Sequence, residues 1–376
     1  MTEGTIIYRG GRIFDGVLLH DDHALCCENG VVTAVAPEDQ LKASGKEVDL
    51  AGAILAPGYV DLQVNGGDGV MFNDDPSVAT LTRIARAHRR LGTAAILPTL
   101  ITDTPEHTRA AVDAVRDACE AGIDGVAGLH LEGPHLSEAK KGAHDSSLIR
   151  PMTDADLEFL IGSAGVVPRL KVTIAPESVS LKQVRALVQA GILLSLGHTD
   201  ADFATCRDYA AAGVRCVTHL FNAMRQLGSR EPGVVGAALD LGGLSTGIIA
   251  DGLHVHPATM RAALAAKRGP GNIFLVTDAM APAGTDLDAF ELNGRKITRS
   301  NGRLTLADGT LAGADLDLTR AVKLAVEQIG LPLDRALQAA TSIPAEVAGL
   351  EFGRLSPGAR TAFVEISPSL DRARPR

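Results

Sequence analysis

Between Tyr59 and Asp278 the chain repeats one pattern eight times: a short, largely apolar run, closing on a polar residue in all but the run that ends at Ile174, is followed by a longer segment with helical writing. The runs cover residues 59–63, 94–99, 126–132, 170–174, 192–198, 214–219, 246–251 and 273–278. Their ends are spaced by about 31 residues, the length that a strand, a crossover helix and two loops require. Runs rich in Val, Ile, Leu and Ala suit parallel strands covered on both faces. Helices are expected at 76–91, 104–122, 181–191 and 201–213, several closing at a Gly as helix C-termini do. The fold class this implies is α/β, a (β/α)8 TIM-type barrel.

Such a barrel takes about 250 residues, and the chain has 376. Before Pro57 the sequence reads as short strands at 5–8, 11–14, 24–28 and 31–36, the last two joined by Asn29-Gly30, a strong hairpin signal. Strand-like writing returns at 361–366. The expectation is a small β-sandwich domain built from both termini, 1–56 with 349–376, beside a catalytic barrel over 57–348. Lys and Arg total 36 against 45 Asp and Glu, a net charge of −9 that repels nucleic acid and anionic membrane surfaces. Trp is absent, so platforms for stacking bases are scarce. No stretch approaches the ~20 apolar residues of a membrane span, and the N-terminus has no basic start followed by an apolar run. Neither nucleic acid nor membrane is an expected partner. The five Cys lack C-x-x-C spacing and read as structural thiols in a reducing compartment, the cytoplasm.

All the C-terminal ends of barrel strands face one rim, where active sites are built. Gln63, Glu132, His198, His219, Asp251 and Asp278 each close a run, so residues more than 200 positions apart converge there. Any one of them alone is more simply a hydrogen-bonded structural residue. Taken together, Glu132, His198 and His219 form a two-His, one-carboxylate set, the ligand count of a catalytic zinc site with one position open. Asp278 beside them can accept a proton from water and return it to a leaving group; its plainer role is to cap the turn before Pro282.

The segments Pro57-Gly58-Tyr59-Val60-Asp61, His130-Leu131-Glu132-Gly133-Pro134, Gly142-Ala143-His144, Gly197-His198-Thr199, Thr218-His219-Leu220-Phe221-Asn222-Ala223-Met224, Asp251-Gly252-Leu253-His254 and Thr277-Asp278-Ala279 together resemble the N-acetylglucosamine-6-phosphate deacetylases of the amidohydrolase superfamily. The resemblance spans most of the chain, with the segments in family order. It implies hydrolysis of a 2-acetamido group to glucosamine 6-phosphate and acetate, with one divalent ion per subunit held by Glu132, His198 and His219. Zinc suits that set first, and iron, manganese or cobalt also fit it. It further implies that His144 donates to the tetrahedral oxyanion, and that Arg230 and His254 hold the phosphate with the backbone amides of Asn222 and Ala223. Ala143, Leu311, Ala312 and Gly313 complete the substrate-binding set, and the resemblance implies a homodimer whose Arg230 reaches across the interface.

Many amidohydrolases carry His-x-His after the first barrel strand, whereas this chain reads Gln63-Val64-Asn65. Carboxamides are weak ligands for zinc-like ions, so Gln63 and Asn65 mark a vestigial second metal position, serving either as a polar plug for backbone groups or to position water. The loop at 65–69 lacks the Gly-Lys-Ser/Thr ending of a phosphate cradle. Lys140-Lys141 reads as a solvated pair, His135 and His256 as structural, and Asp251 as orienting the loop of His254. A ring-opening amidohydrolase such as a dihydroorotase is the nearest alternative, but those sites use a carboxylated Lys or the missing His pair. A catalytically dead scaffold would not be expected to keep Glu132, His198, His219 and Asp278 together.

Overall fold

The computed structural model describes residues 4–360 and 362–376. Eight parallel strands, β1 (Tyr59–Val64), β2 (Thr93–Ile101), β3 (Leu129–Glu132), β4 (Leu170–Ile174), β5 (Leu193–Leu196), β6 (Cys216–Val217), β7 (Ser245–Ile249) and β8 (Ile273–Val276), pair in chain order. The two edges meet just past β8. Val64 bridges Ala279, the Asp278 N–H donates to the Gln63 carbonyl at 3.0 Å, and the Thr277 hydroxyl donates to Asp61 at 2.5 Å. All eight expected strands are present. Four of them, however, stop two residues short of the polar residue expected to close them: His198, His219, Asp251 and Asp278 follow the last ladder residues Leu196, Val217, Ile249 and Val276. Three of these four sit at positive φ, 47° at His198, 28° at His219 and 52° at Asp278. That is a rare conformation for a residue with a Cβ, in which Asp and His are enriched. The chain leaves the strand through a left-handed step there, and all three residues border one cavity at the mouth.

The four expected helices form at Val78–Arg90, Pro105–Glu120, Leu181–Gln189 and Phe203–Ala211. Ser77, Thr104, Ser180 and Asp202 cap them by accepting from first-turn N–H groups that would otherwise lack partners. The helices lay apolar faces on the barrel, and the main core lies between the two layers. Inside the barrel a hydrogen-bonded chain crosses the strands below the rim. It links Thr99 to His130 (3.2 Å), His130 to Thr173 (2.8 Å), Thr173 to Thr218 (2.7 Å) and Thr218 to Ser195 (2.6 Å).

Both termini supply a small β domain. One sheet orders Val31–Pro37, His23–Glu28, Thr5–Arg9 and Lys46–Asp49; the other orders Ala373–Pro375, Phe363–Ile366, Ile54–Pro57, Arg12–Phe14 and Leu19–His20. Ile13, Leu25, Val32, Leu55 and Phe363 pack together as its core. Asn29 and Gly30 take φ of 51° and 77°, the left-handed pair that a tight hairpin needs. Of the strand expected at 361–366, Phe363–Ile366 forms and Thr361 lies outside the described residues, as do residues 1–3 of the expected terminal domain.

Besides the short terminal strands Leu19–His20, Lys46–Asp49, Ile54–Pro57 and Ala373–Pro375, the sequence reading missed a whole sheet. After β8 the chain inserts a four-stranded sheet, Ala289–Leu292, Arg295–Ser300, Arg303–Thr305 and Leu311–Ala314. Its inner residues Leu292, Ile297, Leu304 and Ala312 pack with Met71, Ile101 and Met280 beside the barrel mouth. Asn293-Gly294 and Asn301-Gly302 turn left-handed in it as Asn29-Gly30 does, so the signal that predicted the first hairpin was also present here. Among the described residues no helix is long and apolar enough to cross a membrane.

Candidate metal centre and active site

Glu132 ends β3, and His198 and His219 lie just beyond β5 and β6. Glu132 Oε1 stands 3.1 Å from His198 Nε2 and 2.9 Å from His219 Nε2, and the two imidazole nitrogens are 3.1 Å apart. All three residues are buried. Two ring nitrogens and a carboxylate oxygen crowded on one point, away from water, call for a cation between them. His198 Nδ1 is engaged by the Lys140 carbonyl at 2.8 Å, which puts the proton on Nδ1 and leaves Nε2 free as a ligand. Burial alone would raise the Glu132 carboxyl, but its hydrogen bonds to His198 and His219 hold it well below the ordinary range. Burial opposes charge on His219, and Glu132 nonetheless raises it. Glu132, His198 and His219 form a buried group that can hold a divalent metal ion.

Asp278 lies beside this group. Asn65 Nδ2 donates to its Oδ1 at 2.7 Å, while Gln63 Nε2 donates both to Asp278 Oδ1 at 3.2 Å and to Glu132 Oε2 at 3.1 Å. Burial, and then the charge on Glu132, push the Asp278 carboxyl above its ordinary value, while His219 and Asn65 pull the other way. The carboxamides therefore turn their NH2 groups to carboxylates and do not plug backbone groups, one of the two roles expected of them. Their oxygens, Gln63 Oε1 and Asn65 Oδ1, are buried without a protein partner among the described residues.

His144 packs edge-on against the His198 ring, with centroids 4.3 Å apart. Burial, with the His198 charge adding to it, lowers its imidazole to about 3, so the ring is neutral near pH 7. A cavity of about 250 Å³ opens over these groups. Asn65, Glu132, Ala143, His144, His198, His219, Asn222, Ala223, His254, Asp278, Leu311 and Gly313 line it, as do Ile101, Met280, Leu292 and Thr310, which the sequence did not single out. Ala312 is fully buried behind that wall, packed in the inserted sheet.

Arg230 is exposed on the loop after Met224 and does not border this cavity. His254 does, held by Asp251, whose Oδ2 lies 2.6 Å from His254 Nδ1 and whose Oδ1 accepts from the His254 N–H at 2.8 Å. His256 caps the helix Pro257–Ala266. Lys140 pairs with Asp200 at 3.2 Å as a surface charge would, but its carbonyl grips His198. Composition and spacing carry no sign of that contact, because any residue type could supply the carbonyl.

A model described as the amidohydrolase family matches residues 54–371, and one described as the NagA composite domain matches 9–55. The chain is 40% identical over 367 residues to an N-acetylgalactosamine-6-phosphate deacetylase of Shewanella sp. (strain ANA-3), covering 96% of this chain and 92% of that one. It is 36% identical over 333 residues to an N-acetylglucosamine-6-phosphate deacetylase of Haemophilus influenzae, covering 88% and 86%. Among solved structures, N-acetylglucosamine-6-phosphate deacetylase from Pasteurella multocida superposes with a TM-score of 0.93 at 33% identity over 98% of this chain and 97% of that one. The enzyme of that name from Mycobacterium smegmatis gives 0.89 at 31% identity, over 98% and 97%. The chain belongs to the amidohydrolase family, in the branch that contains these amino-sugar phosphate deacetylases.

Proposed function

We propose that this chain hydrolyses the acetamido group of N-acetylglucosamine 6-phosphate, releasing acetate and glucosamine 6-phosphate, in amino-sugar catabolism. The observation that carries the reading is the buried meeting of Glu132, His198 and His219 beside Asp278 in one cavity. Glu132, His198 and His219 would hold one divalent ion, zinc first by the preference of such a set. When bound, the ion acidifies water and polarises the acetyl carbonyl. Asp278 takes the proton from the attacking water, and the neutral His144 donates to the oxyanion that develops on the carbonyl oxygen. Asp278 then passes that proton to the amide nitrogen, so that the C–N bond breaks to give an amine and acetate. Gln63 and Asn65 stand at the place of a second set of ligands and offer N–H groups there, which keeps the centre mononuclear.

His254 and the backbone amide of Ala223 take the phosphate, since the Asn222 N–H expected to join them already donates to the His219 carbonyl at 3.0 Å, while Ala143, Leu311 and Gly313 form the wall along the sugar, with Ala312 backing it. Arg230, exposed on the loop that follows Asn222 and Ala223, reaches into the neighbouring subunit's site of a homodimer, where its planar fork suits a phosphate. Residues 57–348 make up the catalytic domain, and 1–56 with 349–376 the accompanying one. The free thiols of Cys26, Cys119, Cys206 and Cys216 support work in the cytoplasm. The 40% identity to the Shewanella enzyme favours, as a second reading, the galacto epimer as substrate.

Acetate release from N-acetylglucosamine 6-phosphate, its galacto epimer and the two unphosphorylated sugars, with metal content measured on the same preparation, separates these readings. The gluco phosphate should turn over fastest. Equal rates with and without phosphate would remove the phosphate assignment, a faster galacto epimer would transfer the activity to it, and failure to take up metal even on reconstitution would leave a scaffold.

A further inference from the structure

Thr102, one residue past β2, is buried and holds His144 by two contacts to the same ring nitrogen. The Thr102 N–H donates to His144 Nδ1 at 3.4 Å, and the Thr102 hydroxyl lies 2.8 Å from that nitrogen. A backbone N–H can only donate, so Nδ1 is an acceptor. The hydroxyl then donates to it as well, in preference to its longer contact of 3.3 Å with the Glu132 carbonyl. With Nδ1 accepting, the ring proton is on Nε2, and no described protein group engages that nitrogen on the cavity wall. The hydroxyl also has its place reserved. A Cβ at Gly133, whose φ is +94°, would lie 2.2 Å from Thr102 Oγ1, so the residue after Glu132 is bare where this hydroxyl enters.

Resting on the deacetylase reading above, we infer that Thr102 is a positioning residue, one that holds His144 as the Nε2–H tautomer and so turns its only N–H into the cavity to meet the oxyanion. Without the hydroxyl, only the long 3.4 Å contact from the Thr102 N–H still favours an accepting Nδ1, so the Nδ1–H form gains population, and in that form the cavity faces a lone pair where a donor is needed. Thr102 touches neither the reacting carbonyl nor the water and acts through His144 alone.

The test pairs a spectroscopic readout with kinetics on the metal-loaded protein. Nitrogen–proton correlation spectra of 15N-histidine-labelled wild type, assigned with His144→Gln, should show His144 protonated at Nε2, and in Thr102→Val the Nδ1–H form should grow. Thr102→Val should lower kcat by about 10- to 100-fold with KM within about twofold and metal content unchanged, and Thr102→Ser should restore kcat to within about threefold. A wild-type His144 protonated at Nδ1, a Thr102→Val variant with wild-type kcat, or a Thr102→Ser variant as impaired as Thr102→Val would each overturn the inference. If Thr102→Val does not fold, the wild-type spectrum and Thr102→Ser still decide it. A wild type that releases acetate from no sugar phosphate sinks the deacetylase reading alone, since the tautomer is read without turnover.

Discussion

Asp278 carries opposed demands in one side chain. In the proton-transfer role proposed for it, it must be ionised to accept a proton, yet burial and the neighbouring Glu132 charge both favour its neutral form. The carboxamides of Gln63 and Asn65 offset part of that cost with neutral donors, which add no charge for Glu132 to answer. Asp278→Asn keeps the shape and loses the base, so kcat should fall by about 10²- to 10⁴-fold while metal content by mass spectrometry stays at the wild-type level. Substantial residual turnover would take Asp278 out of the proton transfer. Asp61, below it, is a different case. Burial pushes its carboxyl up to about 7, against the pull of hydrogen bonds from Thr277 and Gln63. An acid raised by folding favours the native state fully below its ordinary value and loses that contribution as pH rises through the folded one, at about 1.4 kcal/mol per pH unit between them. Wild-type stability measured against Asp61→Asn should therefore decline from about pH 4 to about pH 7 and level off above it. Melting curves that run parallel across that range would refute the assignment.

At the scale of elements, the strand exits decide the site. A regular strand points alternate residues to opposite faces, and a left-handed residue two positions past the last ladder bond breaks that alternation at His198, His219 and Asp278. Glu132 is the exception, still within β3, and the left-handed step there falls to Gly133. Gly133→Ala should both strain that backbone and drive a methyl into the Thr102 hydroxyl, lowering the melting temperature and the metal content together. Gly162 provides the contrast. It lies inside the helix Asp154–Ser163 with open space where a Cβ would stand, so Gly162→Ala should stabilise the protein by roughly 0.5–1 kcal/mol with unchanged metal content. A Gly133→Ala protein that melts and loads metal like wild type would show that the close approach is not needed.

For the whole molecule the question is charge. A chain of net charge −9 must gather cations to hold a phosphate. His254 stands at the cavity, whereas Arg230 is exposed away from the cavity of its own chain. If each Arg230 serves the neighbouring subunit, then Asp278→Asn and Arg230→Ala chains, each inactive alone, should recover about a quarter of wild-type activity when co-expressed, because half the dimers are mixed and each mixed dimer has one complete site. Activity no higher than the sum of the two parents would place Arg230 outside the partner's site.

The barrel was legible in the sequence because its signal is local and repeated. Seven of the eight runs of buried strand end on a polar residue, and the period admits few other architectures. The hairpin at Asn29-Gly30 was legible for a similar reason, since two adjacent residues must both accept positive φ. The residue types of Glu132, His198, His219 and Asp278 specified what chemistry was available. The tertiary structure alone decided how those side chains are held, because the holding groups carry no signature of their own: a Lys140 carbonyl, the Thr102 hydroxyl, and the NH2 groups of Gln63 and Asn65. A backbone oxygen or a lone Thr is the same symbol in any chain, and only packing brings Lys140 to His198 across 58 residues and Thr102 to His144 across 42.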